Sequence, residues 1–61
     1  MKGYKDMTDA EKIMAIKRAI SAIFDNNTDN TPKDRACRNI ARSLQLIVEP
    51  DIDVKFERVN E

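Results

Sequence analysis

The sequence predicts an all-α chain, an antiparallel two-helix hairpin assembling into a helical-bundle homo-oligomer, with a short extended or β-like C-terminal tail. Three observations predict it. Ile13, Ile16, Ile20 and Ile23 recur at steps of three and four, the spacing that lines apolar side chains along one face of a helix. Thr31-Pro32 opens a second such segment, in which Cys37, Ile40, Ala41, Leu44, Ile47 and Val48 share a side. Between them Asp25-Asn26-Asn27-Thr28-Asp29-Asn30 has nothing apolar to bury and is made of types that bond their own backbone, so it reads as the connection.

The single domain of residues 1–61 therefore divides into a helix over 9–24, a loop over 25–31, a helix over 32–48 and a tail over 49–61. Residues 1 to 7 read as a loose end. Thr8 is the N-cap of the first helix, because Glu11 lies three residues on, as a capping box requires, and Asp9 and Glu11 suit the positive end of the helix dipole. Met14 and Phe24 widen the isoleucine stripe, while Lys12, Lys17, Arg18 and Ser21 fall on other sides. Ala15, Ala19 and Ala22 are small enough to admit another helix closely.

Thr31 caps the second helix with Pro32 at its first position, where the missing N–H costs nothing, and Asp34 stands where it can reach back to the cap. Pro50 disfavours helix at Glu49 and ends the element. Beyond it Ile52, Val54 and Phe56 alternate with Asp53, Lys55 and Glu57, which is strand periodicity. One such run either pairs with a symmetry mate or lies extended over the hairpin.

Size argues for assembly. A chain of 61 residues hides only roughly 60% of its unfolded surface. Cys37 is the only cysteine and histidine is absent, so neither an internal disulfide nor an ordinary zinc site is expected. Four isoleucines on one helix exceed what a single partner helix covers, and a four-helix dimer or a larger closed ring is the simplest remedy. No apolar run follows Met1-Lys2-Gly3-Tyr4-Lys5 and none approaches the roughly 20 residues of a membrane span, so the expectation is a cytoplasmic chain with no membrane partner.

The residues offer little for catalysis. There is no histidine, no glycine-rich phosphate loop and no nucleophile beside an activating partner, so no enzyme and no cofactor are expected. Cys37 reads as a small core residue, and Asp51 and Asp53 as solvated carboxylates. The charges are more telling. Eleven basic and eleven acidic residues cancel, yet Arg35 to Val48 holds three arginines and no acid, whereas Glu49 to Glu61 holds five acids against Lys55 and Arg58. Zero net charge argues against duplex nucleic acid as a partner.

Arg35, Arg38 and Arg42 line one side of the second helix, with Lys33 near its start. Guanidinium forks match phosphate oxygens. On spacing alone the better reading of the same row is a solvated face that pairs with the acidic tail or with Glu11 and Asp25. Tyr4, the only tyrosine, beside Gly3 and Lys5, either covers the end of the bundle or stacks on a base.

Gly3-Tyr4-Lys5-Asp6-Met7-Thr8, then Glu11, Ile16-Lys17 and Ile40-Ala41-Arg42-Ser43-Leu44-Gln45 resemble the helical-hairpin domain of the phage anti-CBASS 2 proteins, also found within the Thoeris anti-defence 1 proteins. That family consists of small oligomers that sequester the cyclic nucleotide signals of bacterial immunity without degrading them. The resemblance covers roughly residues 3 to 45. It implies that Tyr4 stacks on the bases of a cyclic dinucleotide, that Lys17 meets the phosphates, and that Arg42 belongs to a second pocket for cyclic trinucleotides; Arg38, one turn before Arg42, is a ligand-binding candidate from its place in the arginine row and not from the resemblance. The interval from Tyr4 to Lys17 is shorter than the family's, which makes Arg18 an alternative counterpart. The second helix also ends sooner at Pro50, and residues 51–61 have no counterpart. The implied partners are cyclic oligonucleotides and further copies of the chain. The alternative, from the residues alone, is a module that inhibits or bridges a host protein, with Ile52, Val54 and Phe56 adding a strand to the partner's sheet.

Overall fold

The local signals at both helix starts are made good in atoms. In the computed structural model, which describes residues 3 to 60 and of Tyr4 only the main chain, the first long helix, α1, is Asp9–Asn26 and the second, α2, is Pro32–Val48. A 3-10 turn over Tyr4–Asp6 precedes them, closed by the Asp6 N–H donating to the Gly3 carbonyl at 3.0 Å. At Thr8 the capping box is complete. The Glu11 N–H donates to Thr8 Oγ1 at 3.2 Å, and the Thr8 N–H donates to Glu11 Oε1 at 3.0 Å, so two N–H groups that the helix leaves orphaned are satisfied reciprocally.

At Thr31 only half of that exchange forms. The Asp34 N–H donates to Thr31 Oγ1 at 3.2 Å. The Asp34 carboxylate passes over the cap and accepts from the Asp29 N–H at 2.9 Å, so it braces the interhelical loop instead of closing a box.

α1 runs two residues further than its apolar stripe predicts, through Asp25 and Asn26, because Asn27 caps its other end. The Asn27 side-chain amide donates to the Ile23 carbonyl at 2.7 Å, one of the four that a helix end leaves without a partner. The connection is left with residues 27–31. α2 ends as the proline requires: the Glu49 N–H reaches the Gln45 carbonyl at 2.7 Å, and the Ile52 N–H closes a turn onto the Glu49 carbonyl at 3.1 Å with Pro50 at its second position.

The two helices pack against each other as a hairpin. Ile20 of α1 is 3% exposed and Ala41 of α2 fully covered, and these are the buried apolar residues. Ile16, Ile23, Phe24, Cys37, Leu44 and Val48 are half-buried around them. The sequence stripes are too wide in two places. Ile13 and Met14 on α1, and Ile40 and Ile47 on α2, are exposed, the last two at 60% and 74%. Ala15, Ala19 and Ala22 are exposed too, so the small residue at the helix contact is Ala41 and not the alanine row of α1. A hairpin buries only the stripe where its two helices meet, and the flanks of each stripe stay in water.

The tail differs from the strand its alternation predicts. No strand occurs among the described residues. Ile52 and Val54 are half-buried, but the next half-buried positions are Glu57 and Val59, while Phe56 is 55% exposed. The in-and-out alternation slips by one residue between Val54 and Glu57, so a carboxylate and not an aromatic ring faces the hairpin. A period of two makes any one-residue slip exchange the two faces. No described helix is long and apolar enough to cross a membrane.

Candidate functional site

The arginines of α2 gather the rest of the chain. Arg38 leaves the second turn of α2 and spends its guanidinium on two segments at once. Nε donates to Glu57 Oε2 and Nη2 to Glu57 Oε1, each at 2.7 Å, the bidentate fork geometry in which guanidinium binds a carboxylate best. Nη1 donates to the Asn27 and Asp29 carbonyls at 2.5 and 2.7 Å. One side chain, 11% exposed, thus ties the interhelical loop and the C-terminal tail to the same helix.

Arg42, one turn on, adds a third donor to the carboxylate, with Nη1 at 2.6 Å from Glu57 Oε2. Its guanidinium carbon lies 5.3 Å from the centre of the Phe24 ring, within range of a cation–π contact. Phe24, expected only as the edge of an apolar stripe, therefore supports the arginine from α1.

Asn39 completes the arrangement. Its Nδ2 donates to the Glu57 carbonyl and its Oδ1 accepts from the Glu57 N–H, both at 2.7 Å. A helix side chain so supplies the donor and the acceptor that a neighbouring strand would offer, and fixes the main chain of the residue whose carboxylate the arginines hold. The hydrogen bonds from Arg38 and Arg42 hold the Glu57 carboxyl at about 2, well below its ordinary value of 4.5, against the opposing effect of desolvation. The same bond to Glu57 raises Arg38 above its ordinary value, with Asp34 and Asp29 adding to the effect through their charge.

Lys17 lies elsewhere. Its Nζ is 3.2 Å from Glu49 Oε1, where both side chains are more than a third exposed. Beside this pair is a shallow cleft of about 210 Å³ lined by Lys17, Ile20, Ser21, Gln45, Val48 and Glu49. Glu49 is seven residues beyond Arg42, about 10 Å along the helix at 1.5 Å per residue. Lys17 and Arg42 thus occupy different levels of one hairpin. Arg18 is exposed. The Tyr4 side chain lies outside the described part of the chain.

Of the predicted site residues, then, Arg38 and Arg42 come together, and Lys17 lies at another level of the hairpin, paired with Glu49. Asn39 and Glu57 were missed. The segregation of charge already brings the arginine face and the acid-rich tail together, but it does not single out Glu57 among the five acids, and nothing in the sequence marks the neutral Asn39. Among the described residues no group of three or more possible metal ligands comes together. No protein-family model, curated protein or solved structure matches the chain.

Proposed function

We propose that the protein binds cyclic di- and trinucleotide second messengers and sequesters them without turnover, as a homo-oligomeric immune-evasion protein of the phage type acting in the bacterial cytoplasm. The observation that carries this reading is the convergence of Arg38 and Arg42 on one oxyanion. Two guanidinium groups aimed at a single carboxylate have the geometry that also holds the non-bridging oxygens of a phosphodiester. The resemblance supplies the remaining roles: Tyr4 for base stacking, and Lys17 or Arg18 for the phosphates of the smaller ligands. Separation of Lys17 from Arg42 along the hairpin agrees with two pockets rather than one.

The uncovered side chains Ile13, Met14, Ile40 and Ile47 are what an oligomer would bury. In a two-fold assembly each subunit contributes the same aromatic ring and the same cation, so a ligand with two bases and two phosphates meets a matching pair.

Isothermal titration of the full chain against a panel of cyclic di- and trinucleotides tests the proposal. Stoichiometric binding is expected, with the ligand recovered unchanged by chromatography, and Tyr4→Ala is expected to cost about 1–3 kcal/mol per stacked base. Absence of heat with every member of the panel, from protein that is folded by circular dichroism, overturns it.

The exposed Phe56 beside an acidic segment favours a second reading, a module that docks on a host protein. Recovery of one stoichiometric protein partner from bacterial lysate, lost with Phe56→Ser, together with no cyclic-nucleotide binding, would favour it over the first.

A further inference from the structure

Glu57 is held as a bound ligand is held. Its carboxylate takes three N–H donors from Arg38 and Arg42, and its peptide N–H and carbonyl are both occupied by Asn39. Its neighbours on either side, Phe56 and Arg58, are exposed. The recognition is therefore concentrated on one residue and on its oxyanion above all. Next to that carboxylate is an open depression of about 530 Å³ lined by Asn30, Arg35, Glu57 and Arg58. Further guanidinium groups thus flank the place where the anion sits, with space for something larger than a carboxylate. Besides Glu57, the acids whose charges act on Arg38 are Asp34 and Asp29. The Asp34 carboxylate is turned to the Asp29 N–H.

We infer that the C-terminal tail is an intramolecular plug, in which Glu57 competes with a phosphate-bearing anion for Arg38 and Arg42, and that binding of the anion releases the tail from α2. The inference rests on the reading above only for the identity of the natural ligand. Carboxylate and phosphate satisfy a guanidinium fork in the same way, so the two occupants exclude each other. Eight residues, 49–56, link the end of α2 to Glu57. A tether this short keeps the carboxylate at an effective concentration on the order of millimolar. Weak anions are thereby refused, and an anion able to engage several arginines is admitted.

The test uses inorganic pyrophosphate as probe and the full chain. Glu57→Gln keeps the shape of the residue and its Asn39 bonds but removes the charge. Pyrophosphate is expected to bind this variant at least tenfold more tightly than the unaltered protein, by titration calorimetry. In the unaltered protein, saturating pyrophosphate is expected to abolish protection of the Glu57 amide against hydrogen exchange while the amides of α1 and α2 keep theirs. Equal affinity in the two proteins, failure of pyrophosphate to bind the Glu57→Gln variant, or an unchanged Glu57 amide at saturation overturns the plug. The exchange measurement needs no variant, so it decides the matter even if Glu57→Gln folds poorly. If pyrophosphate behaves as expected and cyclic nucleotides bind neither protein, the nucleotide reading fails and the plug stands.

Discussion

Two carboxylates after α2, Glu49 and Glu57, each meet a basic side chain of the hairpin, and the two meetings are built differently. Glu49 faces a single ammonium at 3.2 Å, with both partners well exposed, and its main chain is fixed beforehand by the end of the helix. Glu57 has no secondary structure to place it. It is positioned by three guanidinium N–H donors on its side chain and by a bracketing amide on its backbone. The first pair decorates a segment that the helix has already ordered, whereas the second is itself what orders a segment. An ion pair fixes a chain when its donors are forked, shielded and joined to a main-chain contact, and contributes little when they are not.

This contrast can be broken or sharpened in four ways, beginning with the largest effect. Ile20 sits on α1 between Lys17 and Phe24, hence between the two pairs, and is almost fully buried. Ile20→Ala should cost about 2–5 kcal/mol in urea or thermal unfolding and loosen both ends together, since each pair depends on the helices staying in contact. Arg38→Ala comes next. It releases the Asn27 and Asp29 carbonyls along with Glu57, so the melting temperature should fall clearly and hydrogen exchange should rise at residues 27–29 and 57 while the middle of α1 stays protected. Arg38→Lys should rescue little, because a lone ammonium cannot reproduce the fork.

Acid probes the Glu57 contact directly. Because Glu57 is held at about 2 in the folded chain against an ordinary 4.5, its contribution is present above about 4.5 and is lost as pH falls towards 2. Unfolding curves taken across that window should show declining stability, and Glu57→Gln should flatten the decline. The smallest effect is expected at the other end: Lys17→Ala should change stability by about 0–1 kcal/mol, read in the same unfolding assay. A loss at Lys17 as large as that at Arg38 would abolish the distinction drawn between the two pairs.

Legibility followed the range of the forces involved. The N-caps at Thr8 and Thr31, the stop at Pro50 and the helical period of both segments are decided within a few residues of themselves and agree with the structure; the reach of Asp34 back to its cap and the full width of the apolar stripes do not, because the Asp29 N–H takes the carboxylate and a hairpin covers only the seam between its helices. The loop was bounded slightly wrongly, because Asn27 caps α1 with its side chain and so lets Asp25 and Asn26 remain helical. For the tail the alternation ending in Phe56 leaves two readings, a strand paired with a mate or a segment extended over the hairpin, and in both it turns Phe56 inward. That signal lost to a long-range one: Arg38 and Arg42 present N–H donors that only an acceptor can satisfy, and Glu57 is placed to supply it. The arginine row was legible as a row, and its meeting with the acidic tail was one of the two readings open to it. That Arg38 rather than Arg42 would hold the loop as well was not, because it depends on where the loop carbonyls fall once the helices have packed.

The one-residue slip that turns Phe56 outward also decides how the C-terminus answers to its medium. A tail laid down on an aromatic ring grips harder as excluded salts strengthen apolar contact. One laid down on a carboxylate gains nothing from them, and its ion pair, partly buried and in direct contact, is screened much less than an exposed pair such as Lys17–Glu49. The hold on residue 57 is thus electrostatic rather than apolar, so excluded salts do not tighten it, and this is so because a glutamate stands where the alternation calls for a phenylalanine.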